Sequence, residues 1–219
     1  MQLRFDIIQN TEEWLALKVG KFSASTADSL LMDKKTAGYK KLINRIVEER
    51  MTGIETESNK FQGNVFTERG HEFEPIARED YELRTFNTVE TIGVIELNEW
   101  VLCSPDGLIG NDGMYQAKCP IFNTQREYLK KYFELHKNKL SCNQILYKLS
   151  SVYYKQMQFE LFVSGRNYNI FNSYHPFLAP IDLKILRDEI MMAEISVRIK
   201  EAKEEILNEI QFLNSINNI

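Results

Sequence analysis

Residues 88–120 set the tightest limit on what this chain can fold into. The run TVETIGVIELNEWVLC at 88–103 is rich in β-branched residues and breaks at Asn98-Glu99, as a hairpin does. Ser104-Pro105-Asp106-Gly107 then demands a turn or bend. Leu108-Ile109, Asn111-Asp112-Gly113 and the run 114–119 predict a second hairpin, with Asp-Gly supplying the positive φ angles. Pro120 ends that strand, because it cannot donate to a ladder. Helical patterns lie on both sides. A cap and acidic first turn start one helix at Asn10-Thr11-Glu12-Glu13-Trp14, and a second opens at Ser23 or Ser25. Others are predicted over 39–51 with a stop at Gly53, over 64–83, over 125–135 and over 142–163. A strand is predicted at 167–174. A long helix is predicted from Asp182, with Met192, Ile195, Ile199, Ala202 and Ile206 as its apolar stripe. The pattern is α/β or α+β, a small sheet among helices.

Composition bounds the function without naming it. The chain has 219 residues, of which 43% are hydrophobic and 26% charged, which suits an ordered globular fold and excludes a disordered one. Without repeats or linkers, the expectation is one domain over 1–219, with a core at 14–176 and a C-terminal helix at about 182–213. No stretch approaches the roughly 18 apolar residues of a membrane span. The first residues carry acids among apolar side chains and lack a signal-peptide core. Cys103, Cys119 and Cys142 are odd in number and show no CxxC spacing, so free thiols in a reducing cytoplasm are expected. The net charge of −4 hides an asymmetry. Arg126, Lys130, Lys131, Lys137, Lys139, Lys148 and Lys155 face only Glu127 and Glu134 within 121–155, a local excess able to collect phosphates.

The segment CSPDGLIGNDGMYQAKCP at 103–120 carries chemistry. On a strand over 114–119, Gln116 and Lys118 share a face, and Asp106 can converge on it from across the hairpin. An acid, a second oxygen ligand and a lysine on one sheet edge suit metal-assisted phosphodiester cleavage. A polar exposed strand beside a Pro-Asp-Gly turn is the plainer reading of the same residues.

Four stretches in order resemble the lambda-type phage alkaline exonucleases, the viral recombinase nuclease family of the PD-(D/E)xK superfamily. They are WLALKVGKFSAS from Trp14, RGHEFE at 69–74, CSPDGL with Lys118-Cys119-Pro120, and YYKQMQFELFVS at 153–164. The resemblance implies a PD-(D/E)xK (restriction-endonuclease-like) core, a small mixed central sheet flanked by helices. It implies a metal-dependent 5′-to-3′ double-stranded DNA exonuclease that leaves a 3′ single-stranded tail for phage-type recombination. Asp106, Gln116, Lys118, Glu74 and Gln158 (Gln156 as the lesser choice) become the catalytic set. Mg²⁺, with Mn²⁺ able to substitute, is expected on Asp106, Gln116, the carbonyl of Ala117 and Glu74. Ser25, Ser104, Lys18 and, by a shift of register, Arg126 become the 5′-phosphate contacts. The implied partners are 5′-phosphorylated duplex ends, two further copies in a homotrimeric ring, and a single-strand annealing protein, with no membrane. The implied location is the cytoplasm of a bacterial host, as a phage or prophage protein. His71 is read as a packing or surface residue.

One position departs from the family pattern: Gln116 stands where a carboxylate is expected, which keeps an oxygen donor but removes a charge. Glutamine occurs there naturally in Mrr-type restriction nucleases, and a Glu→Gln inactivated variant is the other origin. A sequence-specific restriction endonuclease of the same fold and a non-catalytic DNA-end-binding protein are the rival functions.

Overall fold

The computed structural model describes residues 1–56 and 65–217. Along the chain run β1 (Gln2–Arg4), α1 (Glu12–Lys18), β2 (Phe22–Ser23), a 3₁₀ turn (Ala24–Thr26), α2 (Ala27–Leu31), α3 (Ala37–Thr52) and α4 (Val65–Thr85). The β-rich centre follows with β3 (Val94–Asn98), β4 (Val101–Cys103), β5 (Gly107–Ile109) and β6 (Gly113–Lys118). Then come α5 (Phe122–Lys137), α6 (Cys142–Leu149), α7 (Ser151–Ser164), β7 (Tyr168–His175), β8 (Leu178–Leu186) and α8 (Glu189–Asn217). The fold is mixed α/β, as expected. Thr11 caps α1 by accepting from the Trp14 amide, and Gly53 closes α3 in the left-handed region.

The β-rich centre divides between two sheets. One has the order β1-β3-β4-β2 and the other β5-β6-β7-β8, each mixing parallel and antiparallel pairs. Ser104-Pro105-Asp106 carries the chain from β4 in the first sheet to β5 in the second, so Asp106 lies at their junction. Gln9 fastens this crossing by donating from Nε2 to the carbonyls of Ile92 and Pro105 at 2.8 and 2.9 Å.

Strand β6 sends alternate side chains to two layers. Tyr115 and Ala117 pack with Ala77 and Tyr81 of α4, together with Ile170. Met114, Gln116 and Lys118 take the opposite face. The parallel register pairs them with Asn169, Phe171 and Ser173, so these six share one side of the sheet. Helix α7 covers that side, with Phe159, Leu161 and Val163 in the largest apolar cluster alongside Phe22, Ile46, Ile95 and Ile195.

Three expectations are corrected. The helix predicted from Asp182 begins at Glu189, because 178–186 forms β8 against β7. Buried Ile181, Leu183 and Ile185 alternate there with Asp182 and Lys184, a period-two pattern that the four-residue step from Ile181 to Ile185 disguises as helix. The helix predicted over 142–163 is two helices, because Ser150 is extended (φ −156°) and caps α7 through its side chain. In the β5–β6 turn, the positive φ falls on Gly110 (φ 52°), not on Asp112-Gly113. Gly113 instead answers a close approach, since a Cβ there would sit 2.3 Å from the Tyr168 ring. The small mixed β-structure flanked by helices is present as expected, as two four-stranded sheets.

At Gly93 a Cβ would sit 2.1 Å from the Ile7 carbonyl oxygen, a backbone atom that cannot swing aside. Gly93→Ala is therefore expected to destabilise the protein by about 2 kcal/mol through overpacking, read as a lower urea midpoint with an unchanged slope. A midpoint within error of the unmodified protein would contradict this packing.

Candidate active site

Asp106, Gln116, Lys118 and Glu74 meet at one cavity of about 410 Å³, which the backbone of β6 floors and α4, α5 and α7 wall. Asp106 Oδ2 accepts from Gln116 Nε2 at 2.6 Å and from the Ala117 amide at 2.7 Å. Burial, and then the neighbouring Glu74 charge, push the Asp106 carboxyl up to about 7, against the pull of Lys118. Burial also raises Glu74, with Lys118 and Arg78 opposing it. Lys118 Nζ stands 5.0 Å from the Tyr153 ring centroid, so α7 supports it from below.

A hard divalent cation fits this donor set. Gln116 Oε1 is buried and accepts no hydrogen bond, an orphaned oxygen of the kind a cation satisfies. Asp106 and Glu74 add carboxylates at the same cavity. Among the described residues no three His, Cys, Asp or Glu side chains cluster as a metal site. The Gln116 amide also holds the Asp106 oxygen by hydrogen bond, so it competes with a cation as well as lowering the charge.

A second cavity, of about 740 Å³, is basic and rich in hydroxyls. Lys18, Lys41 and Arg45 line it with Ser23, Ser25, Thr26 and Ser29. Lys18 Nζ stacks 3.8 Å from the Trp14 ring centroid, and burial, reinforced by Arg45, pushes it down to about 8. Ser25 Oγ lies 3.0 Å from Ser23 Oγ. Ser104 Oγ accepts from Trp14 Nε1 at 2.9 Å, which ties the Asp106 crossing to the wall of this cavity. A third cavity, of about 450 Å³, shares Glu74 and Asp106 with the first cavity and Asn10 with the basic one.

Two expected site residues lie elsewhere. Gln158 is fully buried, and its amide is spent on the start of α8: Nε2 donates to the Leu186 carbonyl and Oε1 accepts from the Asp188 amide. Gln156 donates instead to Glu160, at 3.1 Å, and does not line the cavity. Arg126 is exposed and pairs with Glu127. Thr124 and Tyr128 of α5 face the cavity, and at about 100° per residue position 126 points away from both. The basic excess at 121–155 is also partly spent: Lys155 pairs with Asp28 at 2.8 Å, Lys130 pairs with Glu127, and Lys131 donates to the Lys148 carbonyl. The side chain of His71 lies outside the described residues. Sequence reasoning missed Arg45 and Glu160. A lone helical arginine and a lone helical glutamate leave no local signal, and only packing gives them neighbours.

A two-sheet α/β core with carboxylates, an amide and a lysine around one cleft defines the class: the fold of a nuclease. The chain belongs to the YqaJ-like viral recombinase domain family, whose sequence profile matches residues 13–167. It is similar to the crystal structure of an alkaline exonuclease, LHK-Exo, from Laribacter hongkongensis. That likeness has a TM-score of 0.77 and 29% identity, over 95% of this chain and 98% of that one. The same enzyme in complex with dAMP matches at TM-score 0.77 and 28% identity over the same shares. A phage-related exonuclease from Haemophilus somnus 129PT shares the fold at TM-score 0.66 and 14% identity, over 90% of this chain and 96% of that one. No match is found among curated proteins. No helix among the described residues is long and apolar enough to cross a membrane.

Proposed function

We propose that the protein is a Mg²⁺-dependent exonuclease that degrades one strand of duplex DNA from a 5′-phosphorylated end and leaves a 3′ single-stranded tail. One observation carries the reading: the cleft of Asp106, Glu74, Gln116 and Lys118 and the basic cavity of Lys18, Arg45 and Ser25 both border a third cavity, which shares Glu74 and Asp106 with the first and Asn10 with the second. A phosphodiester in the cleft and a terminal phosphate in the basic cavity give the cut its direction. Asp106, Gln116 Oε1, the Ala117 carbonyl and Glu74 would hold Mg²⁺, or Mn²⁺, which when bound supplies Lewis-acid stabilisation of phosphoryl charge. Lys118 holds positive charge at the same cleft, where a phosphoryl oxygen gains charge during in-line attack. Ser25 and Ser104 offer hydroxyls, and Lys18 and Arg45 charge, to the terminal phosphate. A homotrimeric ring and hand-over of the tail to a single-strand annealing protein complete the reading.

The test is degradation of linear 5′-phosphorylated duplex beside closed circular DNA, with Mg²⁺, for the protein and its Gln116→Glu form. Loss of the linear substrate alone supports the exonuclease. Cutting of the closed circle means an endonuclease, and silence from both forms with tight end binding means a non-catalytic end binder.

The basic cavity makes its own prediction. Preference for 5′-phosphate over 5′-hydroxyl ends should fall about tenfold or more in Lys18→Ala, the loss of one charged hydrogen bond. Lys18 is protonated below about 8, so in the unmodified protein the preference should weaken as pH rises through that value. Competition binding of the two duplexes across pH checks both, and a flat profile would remove Lys18 from the phosphate site.

A further inference from the structure

Glu160 is a fully buried carboxyl on α7 that the reading above leaves unused. Its oxygens accept from Gln156 Nε2 at 3.1 Å and from Asn169 Nδ2 at 2.7 Å. Asn169 lies on β7 on the same sheet face as Gln116 and Lys118, two residues along the ladder from the Gln116–Phe171 pair. Tyr153, the residue of α7 beneath Lys118, packs on Phe171 at 5.9 Å between ring centroids. Two helical turns further along, Glu160 reaches Asn169, so α7 runs down this face with Gln116 between the two contacts. Asn169 Oδ1, like Gln116 Oε1, is buried without a hydrogen-bond partner, which leaves two orphaned acceptors on the face that Glu160 adjoins.

We infer that Glu160 is the third carboxyl of this site, a positioning residue that supplies from α7 the negative charge missing at position 116. The inference rests on the nuclease reading of the cleft. The titratable groups that face Glu160 are Lys118 from β6, which favours its anion, Asp106 from the sheet crossing, which opposes it, and the buried Cys103 thiol of β4, which the Glu160 charge helps keep protonated. The neutral amides of Gln156 and Asn169 also favour the anion. Burial pushes the carboxyl up to about 8, so its charge is drawn out by a cation in the cleft or by alkaline pH. Asp106 and Glu74 alone give a divalent cation two carboxylates. With Glu160 behind Gln116, the field at the cleft regains a third without a third direct ligand.

The test measures Mg²⁺ binding calorimetrically without DNA, on the unmodified chain, Glu160→Gln, Gln116→Glu and the double variant. Glu160→Gln is expected to weaken Mg²⁺ about tenfold, with the acid limb of the nuclease pH profile changed, while Gln116→Glu restores binding in the Glu160→Gln background. A folded Glu160→Gln protein that binds Mg²⁺ within twofold of the unmodified chain overturns the inference. So does a double variant as weak as Glu160→Gln alone. Should Glu160→Gln fail to fold, the assigned ¹³C carboxyl resonance of Glu160 in the unmodified protein decides. Movement to the ionised position on adding Mg²⁺ near neutral pH supports the inference, and an unmoved resonance overturns it. Neither the Mg²⁺ binding nor the carboxyl resonance uses DNA, so a protein inert on duplex ends in every form defeats the nuclease reading while the Mg²⁺ data still judge Glu160.

Discussion

Asp106→Asn is expected to abolish degradation of linear duplex, by about 10³-fold or more, and at the same time to make the cation-free protein more stable. The first effect follows from removing the carboxylate at the junction of the two sheets, an interaction worth several kcal/mol to a phosphoryl transition state. The second follows from burial. The Asp106 carboxyl stands at about 7 in the folded chain, above the usual aspartate value of about 3.9. Without a divalent cation, the folded protein therefore holds a proton that the unfolded chain has already released. The stability associated with this group is fully present below about pH 4 and is lost as pH rises through about 7. Asparagine carries no charge to bury and can still accept the Ala117 hydrogen bond, so above that window the variant should melt several degrees higher, from a gain on the order of 2 kcal/mol. At acid pH the two proteins should converge. Thermal melts across pH, with and without Mg²⁺, check this. Equal cation-free stability at alkaline pH would mean that Asp106 is not held against its ionisation.

Gln116→Glu carries the second large effect, in the opposite direction. The Gln116 amide donates to Asp106 at 2.6 Å, so glutamate at 116 sets two carboxylate oxygens against each other. Without a cation that pair must share a proton or repel, and the melting point should fall by a few degrees. With Mg²⁺ the same pair becomes two charged ligands, no amide competes for the Asp106 oxygen, and nuclease activity at limiting Mg²⁺ should rise about tenfold or more. Rates across a Mg²⁺ series are the measurement. A leftward shift of the Mg²⁺ midpoint shows that glutamine limits cation binding here. Identical midpoints and rates, with robust activity in both forms, would show that glutamine is a fully competent ligand.

Much of this site is legible in the chain because its signals are local. Ser-Pro-Asp-Gly must bend, Pro120 must stop a strand, and alternation along 114–119 fixes which of Gln116, Ala117 and Lys118 share a face. Caps at Thr11 and Gly53 are read the same way, since their hydrogen bonds span three or four residues. The cysteines are free, as an odd count without CxxC spacing suggests.

What the sequence by itself determined, then, is where β6 lies, that Asp106 sits at a forced bend beside it, and that Gln116 and Lys118 point one way. Tertiary structure alone decided which partners meet them. Gln156 and Gln158 are indistinguishable by type and spacing. One is turned toward Glu160 and the other is consumed by Leu186 and Asp188, because α8 packs where it does. Arg126 is lost to Glu127 by a rotation of about two residues of helix, while Arg45 is brought to the Lys18 cavity by the packing of α3. Residues 178–186 chose strand over helix because β7 offered an edge to pair with. Glu160 has meaning only against Asn169 of β7. A residue's own periodicity says which way it points, but burial, charge and hydrogen-bond partners come from elements distant in the chain, and those set the chemistry.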